Sequence, residues 1–149
     1  MSPLASALQN ELDLASRFLA VLEREQKALS AADVSPLEGI NSEKSELVGL
    51  LNKASQDREL LTGPVSGSLN QWLKEKSQDA EAAKLWEKLS AVARHAKQTH
   101  ELNGKLIAMH LLRTSDALAI LTHQQQSNRL YGSDGQAFQN TGSRIVDSA

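Results

Sequence analysis

The sequence contains no cysteine. Disulfides and cysteine-ligated zinc are therefore excluded, and the usage is compatible with the cytosol. Aromatic residues make up only 3%, so the core must be aliphatic, built from Leu, Ile, Val and Ala. No apolar run approaches the length of a membrane span. The amino terminus, Met1-Ser2-Pro3-Leu4, has neither a basic n-region nor an unbroken apolar h-region, so no secretory signal is expected. An excess of positive charge is missing too. The net charge is -2, and no basic stripe is interleaved with aromatics, so nucleic-acid binding lacks its electrostatic footprint. What remains is 149 residues, 40% hydrophobic and 23% charged, enough for one soluble domain.

The longest uninterrupted stretch, Ala80 to Gln126, holds no proline and a single glycine, Gly104. Stepping forward from Leu85 at helical spacing meets Leu89, Val92, Ala96, Thr99 and Asn103, and the line continues through Leu106 and Ile107, His110 and Leu111, Thr114, Leu118 and Leu121. This is the apolar stripe of one long α-helix. Propensity alone does not hold such a helix, so partner helices are expected along its length.

The preceding chain supplies candidates. Ser2 and Pro3 suit the N-cap and first turn of a helix over Leu4–Ser30. Leu4, Leu8, Leu12, Ala15, Phe18 and Leu22 form its apolar face, with Glu11, Asp13, Arg17 and Glu23 lying mostly off it. Ser35-Pro36-Leu37-Glu38 reads as a capping box opening a second helix to about Leu61. That helix has a heptad seam of Leu37, Ile40, Lys44, Leu47, Leu51, Ala54, Arg58 and Leu61, with two cationic interruptions. The short connection makes the pair an antiparallel hairpin. Gly63-Pro64 stops the second helix. Leu69–Lys76 forms a short helix carrying Leu69, Trp72 and Leu73, and Ser77 or Asp79 caps the long one. The fold expected is all-α: an antiparallel helical bundle with an N-terminal hairpin, a short helix, one long C-terminal helix and a flexible tail. Residues 1–126 form the bundle domain and residues 127–149 the tail.

The tail is rich in Gly, Ser, Asn and Gln, and its large apolar residues are Leu130, Tyr131, Phe138, Ile145 and Val146. Burying all five returns ~8–15 kcal/mol, whereas ordering the backbone costs on the order of 20 kcal/mol or more. The tail therefore stays mobile unless a partner or a neighbouring copy orders it. Tyr131 and Phe138 read equally as docking residues or as groups that pack back on the bundle.

Catalytic and metal chemistry find little footing. The residues three before His95, His100, His110 and His123 are Val92, Lys97, Ile107 and Ile120, so the Glu-x-x-His pattern of di-iron bundles is absent. No metal site and no cofactor is expected. No G-x-S-x-G occurs, and Gly132-Ser133-Asp134-Gly135 reads as a turn. Lys44 reads first as a snorkelling side chain on the seam. The competing reading is a buried pair with a carboxylate or a device that fixes register. Asn103 poses the same choice.

Three segments give the chain a family likeness. They are Leu22–Leu51, with Glu25, Ala28, Leu29, Leu37, Ile40, Lys44 and Leu47; Asn103-Gly104-Lys105-Leu106-Ile107 followed by Ala117-Leu118 and Leu121; and Tyr131-Gly132-Ser133-Asp134-Gly135-Gln136. In these the chain resembles the FlgN-type flagellar export chaperones. The resemblance implies a cytoplasmic, non-enzymatic protein of flagellar type III secretion. It would bind hook-associated (hook-filament junction) proteins by their C-terminal helices, prevent premature assembly and deliver them to the export gate. It further implies a cargo surface that includes Ala117, Leu118, Leu121, Leu130, Phe138, Ile145 and Val146. Tyr131 would dock on the cytoplasmic domain of the export-gate protein FlhA. The competing reading is a self-associating helical scaffold without cargo, and weak homo-oligomerisation stays open under either.

Overall fold

The computed structural model describes residues 1–63, 65, 68–75 and 78–130, with side chains through residue 123. The regular structure among them is entirely helical: α1 (Pro3–Ser30), α2 (Leu37–Thr62), α3 (Leu69–Glu75) and α4 (Ala80–Leu130). The all-α expectation and its element order hold. Of the tail expected over residues 127–149, residues 127–130 continue α4 to Leu130, and the rest lies outside the described residues. No described helix is long and apolar enough to cross a membrane.

The ends of α1 follow local chemistry. Ser2 adopts an extended backbone, its hydroxyl accepts the Ala5 N–H at 3.0 Å, and Pro3 opens the first turn. At the far end the Ala32 N–H donates to the Leu29 carbonyl and the Asp33 N–H to the Ala28 carbonyl. This double closure is a Schellman motif, which needs a left-handed residue after the C-cap. Here that residue is Ala32, at φ 53°, a position glycine would fill without a Cβ penalty.

The capping box expected at the start of α2 does not form. Pro36 occupies the N-cap position without a side-chain cap. The Ser35 hydroxyl and N–H both donate to Asp33 Oδ1, at 2.8 and 3.1 Å. Asp33 lies two residues upstream and captures the serine in a local turn before it can reach the helix. These donations hold the Asp33 carboxyl below the usual aspartate range. The stop of α2 is as expected, with Gly63 at φ 68° and its N–H donating to Glu59 O at 2.9 Å. Pro64 and Ser77 lie outside the described residues. Asp79 caps α4, its Oδ1 accepting the Ala82 N–H at 3.0 Å.

The chain divides into two units, Met1–Ile107 and Ala108–Ala149. Within the first, side-chain pairs fix the helix directions. Glu11 meets Arg58 and Glu25 meets Lys44, so residues advance along α1 as their partners retreat along α2, and the hairpin is antiparallel. Ser2 donates to Asp79 at the start of α4, and Asn103 reaches Leu22 and Glu25 near the end of α1, so α1 and α4 run parallel. The arrangement is an up-down-up bundle with α3 bridging the return. One core cluster joins Ala5 and Leu8 of α1 to Leu73 of α3 and Ala82, Leu85 and Leu89 of α4. A second joins Leu14 and Val21 to Ile40, Leu47 and Ala54 across the hairpin. Leu8 and Leu22 are wholly inaccessible, so truncating either to Ala costs about 2–5 kcal/mol.

Candidate functional site

Three features of the chain go beyond packing. The first is a polar seam inside the N-terminal unit. Glu25 is 4% exposed, and its carboxylate accepts from Lys44 Nζ at 3.0 and 3.2 Å and from Asn103 Nδ2 at 2.9 Å. The same Nδ2 donates to the Leu22 carbonyl at 2.9 Å. Both neighbours of that amide are acceptors, so Asn103 must present its NH2 group to them. Its Oδ1 is left buried without a protein partner. Lys44 therefore pairs with a buried carboxylate while its own side chain stays 20% exposed, so a half-buried pair replaces the simple snorkelling reading. Asn103 is a polar tie between α1 and α4.

A second polar tie sits farther down the hairpin. Arg58 Nε and Nη2 fork onto the two Glu11 oxygens at 2.7 and 3.3 Å, and Nη2 also donates to Ser55 Oγ at 3.0 Å. The guanidinium lies 5.0 Å from the Trp86 ring centroid, within cation–π range. This corrects the placement of Glu11 off the apolar face, since the residue is buried. A sequence signal for it existed. Glu11 and Glu25 stand two heptads apart on α1, and Lys44 and Arg58 stand two heptads apart on α2. Only one antiparallel register matches both pairs.

The third feature is the later part of α4. The stripe is buried at Leu85, Leu89, Ala96, Thr99 and Asn103, but its later members Leu111, Leu118 and Leu121 are more than half exposed, as are Leu112 and Ile120 beside them. The expectation of partner helices along the whole stripe fails here. Of the sequence-predicted cargo residues, Ala117, Leu118 and Leu121 lie on this exposed stretch. Leu130 ends α4, but its side chain, like Tyr131, Phe138, Ile145 and Val146, lies outside the description. Among the described residues no group of three or more His, Asp or Glu is placed to hold a metal.

Comparison with known proteins places these features in context. A family model described as "FlgN protein" matches residues 1–138. The "Flagella synthesis protein FlgN" of Salmonella typhimurium strain LT2 is 27% identical over 138 residues, covering 91% of each chain. The protein of the same name from Proteus mirabilis is 28% identical over 139 residues, covering 92% of this chain and 91% of that one. No solved structure matches the chain.

Proposed function

This chain belongs to the FlgN family, and from that membership we propose that it is a cytoplasmic flagellar export chaperone. In this reading it binds hook-associated subunits through its C-terminal region, keeps them from assembling early and delivers them to the FlhA export gate. It acts by binding, without catalysis or a cofactor. Support comes first from the relatives, each named for flagella synthesis. The observation that carries the mechanism is the exposed apolar face of α4, from Leu111 to Leu121. An assembly-prone amphipathic helix needs a transient apolar partner, and a helix face of this kind offers one by side-by-side packing. Leu118, Leu121 and Ala117 begin the cargo surface in this proposal, and Leu130, Phe138, Ile145 and Val146 of the tail extend it. If those tail residues order only on binding, the ordering cost holds affinity down, which suits a protein that must release its cargo.

The test is co-purification of hook-associated subunits with the full chain and with a chain truncated after Gln126. Cargo capture should drop sharply on truncation, and unchanged capture would eliminate the tail from the site. Tyr131→Ala should spare cargo binding while weakening attachment to the FlhA cytoplasmic domain. Equal FlhA affinity would reject that role for Tyr131. The exposed stripe also favours one rival, a self-associating scaffold. A tight dimer in sedimentation that captures no subunit would decide for the rival.

A further inference from the structure

The N-terminal unit carries a second apolar surface, separate from the C-terminal region assigned to cargo. A trough of about 760 Å³ runs between α1, α2 and α4. Its α4 wall presents Trp86, Leu89, Ala93, Ala96 and His100, which recur every three or four residues over about four turns, roughly 21 Å. Phe18 of α1 and Val48 and Leu51 of α2 face them. The middle of the α4 wall is small, with Ser90, Ala93 and Ala96, and small side chains set how closely a neighbouring helix axis approaches. Among the described residues no fourth helix covers this side of the up-down-up packing.

The charges around the trough select its occupant. Glu11 is neutralised by Arg58, and Lys44 by Glu25. Lys97 and His100 also line the trough, near one end of the α4 wall. Both are exposed, and neither has an acceptor among the described residues. The trough thus offers grease along its length and two unmatched donors toward one end. A small apolar ligand would make no use of those donors, and a basic helix would meet Lys97 as a like charge.

We propose that this trough is a second docking site, and that its occupant is an acidic amphipathic α-helix of another protein, with its apolar face on Phe18, Leu51 and Trp86 and its carboxylates over Lys97 and His100.

The experiment uses the full chain and two fluorescein-labelled helical peptides of about 14 residues, the length of the α4 wall. They share one Leu/Ala face and differ only in glutamate or lysine flanks, and binding is read by fluorescence anisotropy. The glutamate peptide should bind about tenfold tighter than the lysine peptide at low salt. Ala93 is exposed, so Ala93→Arg should fill the trough and abolish that binding while leaving the far-ultraviolet circular dichroism unchanged. The Lys97→Glu, His100→Glu double variant should reverse the peptide preference, again with the fold intact. A Leu118→Ser, Leu121→Ser variant should bind the glutamate peptide as the parent does, which separates this site from the proposed cargo surface. Equal affinity for both peptides, indifference to Ala93→Arg, or loss of binding in the Leu118→Ser, Leu121→Ser variant would each overturn the proposal. So would a dimer of the parent chain that Ala93→Arg dissolves and the peptide does not displace, because the occupant would then be a second copy.

Discussion

Replacing Lys44 by Met keeps most of the side-chain stem and removes the ammonium. Glu25 then loses both Nζ contacts, at 3.0 and 3.2 Å, and keeps only the Asn103 amide. Breaking a buried ion pair by removing one partner costs about 3–5 kcal/mol. The Lys44 side chain is 20% exposed and that of Glu25 5%, so water entering from the lysine side relieves part of the loss, and ~2–3 kcal/mol is the expected cost. Glu25→Met leaves an ammonium that can reach solvent and takes one acceptor from Asn103, costing about 1–2 kcal/mol. The double variant replaces the pair by two apolar side chains and should return to within about 1 kcal/mol of the parent. The coupling is then at least about 2 kcal/mol, well above the additive limit for independent sites. Urea unfolding followed by far-ultraviolet circular dichroism measures it, with Lys44→Met lowering the midpoint by about 1 M. The exposed pair Arg24–Glu43, at 56% and 49% side-chain exposure, serves as the internal control and should couple by only about 0.2–1 kcal/mol. If the Glu25–Lys44 cycle closes to within about 0.5 kcal/mol of additivity, the carboxylate does not depend on its lysine and the account of the seam is wrong.

Two other perturbations report on the helix ends. Ala32→Gly removes a Cβ from a left-handed residue, worth ~1–2 kcal/mol, and adds unfolded-state entropy worth about 0.4–1 kcal/mol. A net gain of roughly 0.5–1 kcal/mol should raise the thermal midpoint, and a fall would show that the αL geometry is not strained. Hydrogen bonds from Ser2 and then from the Ala82 N–H hold the Asp79 carboxyl below its usual value of 3.8. A depressed folded pKa contributes stability above the unfolded value and loses it as the pH falls through the folded one. Below about pH 4 the parent should therefore weaken more steeply than Asp79→Asn, which keeps the cap but cannot titrate. Parallel stability curves for the two would refute the linkage.

How much of this was legible in the sequence depends on how local each determinant is. Ser2-Pro3, Gly63 and Asp79 act on amides within their own turn, and each could be read in isolation. The start of α2 misled because two local devices competed for one hydroxyl, and Asp33 lies closer to Ser35 than the helix amides do. Glu11 misled for the opposite reason. Its burial depends on Arg58 and Trp86, neither of which is near it in sequence, and an apolar count on α1 alone scores it as an outlier. Lys44 and Asn103 announced themselves as polar residues on apolar stripes. Choosing between a snorkelling side chain and a buried pair required knowing that Glu25 sits opposite both. The trough was not legible at all, because it is made from what three helices leave unfilled.

The stripe of α4 shows the limit of periodicity most plainly, since period reveals a face but not whether anything covers it. Helix length supplies the missing term. Because α1 and α4 start level at Ser2 and Asp79 and run parallel, α1 reaches its end at Ser30 about where α4 reaches Ile107, and the N-terminal unit ends there. α4 is 51 residues long against 28 for α1 and 26 for α2, so its stripe outlasts the helices that cover its first half. The covered half carries a buried polar key in Asn103, while Leu111, Leu118 and Leu121 of the later half are exposed and its polar members, His110 and Thr114, are not buried. A buried polar residue on a helix seam fixes one register, and an apolar seam without one accepts several. The bundle thus specifies its own pairing by ion pairs set two heptads apart. The exposed seam leaves register to whichever helix meets it, a property suited to the proposed role of taking up and releasing a helix of another protein.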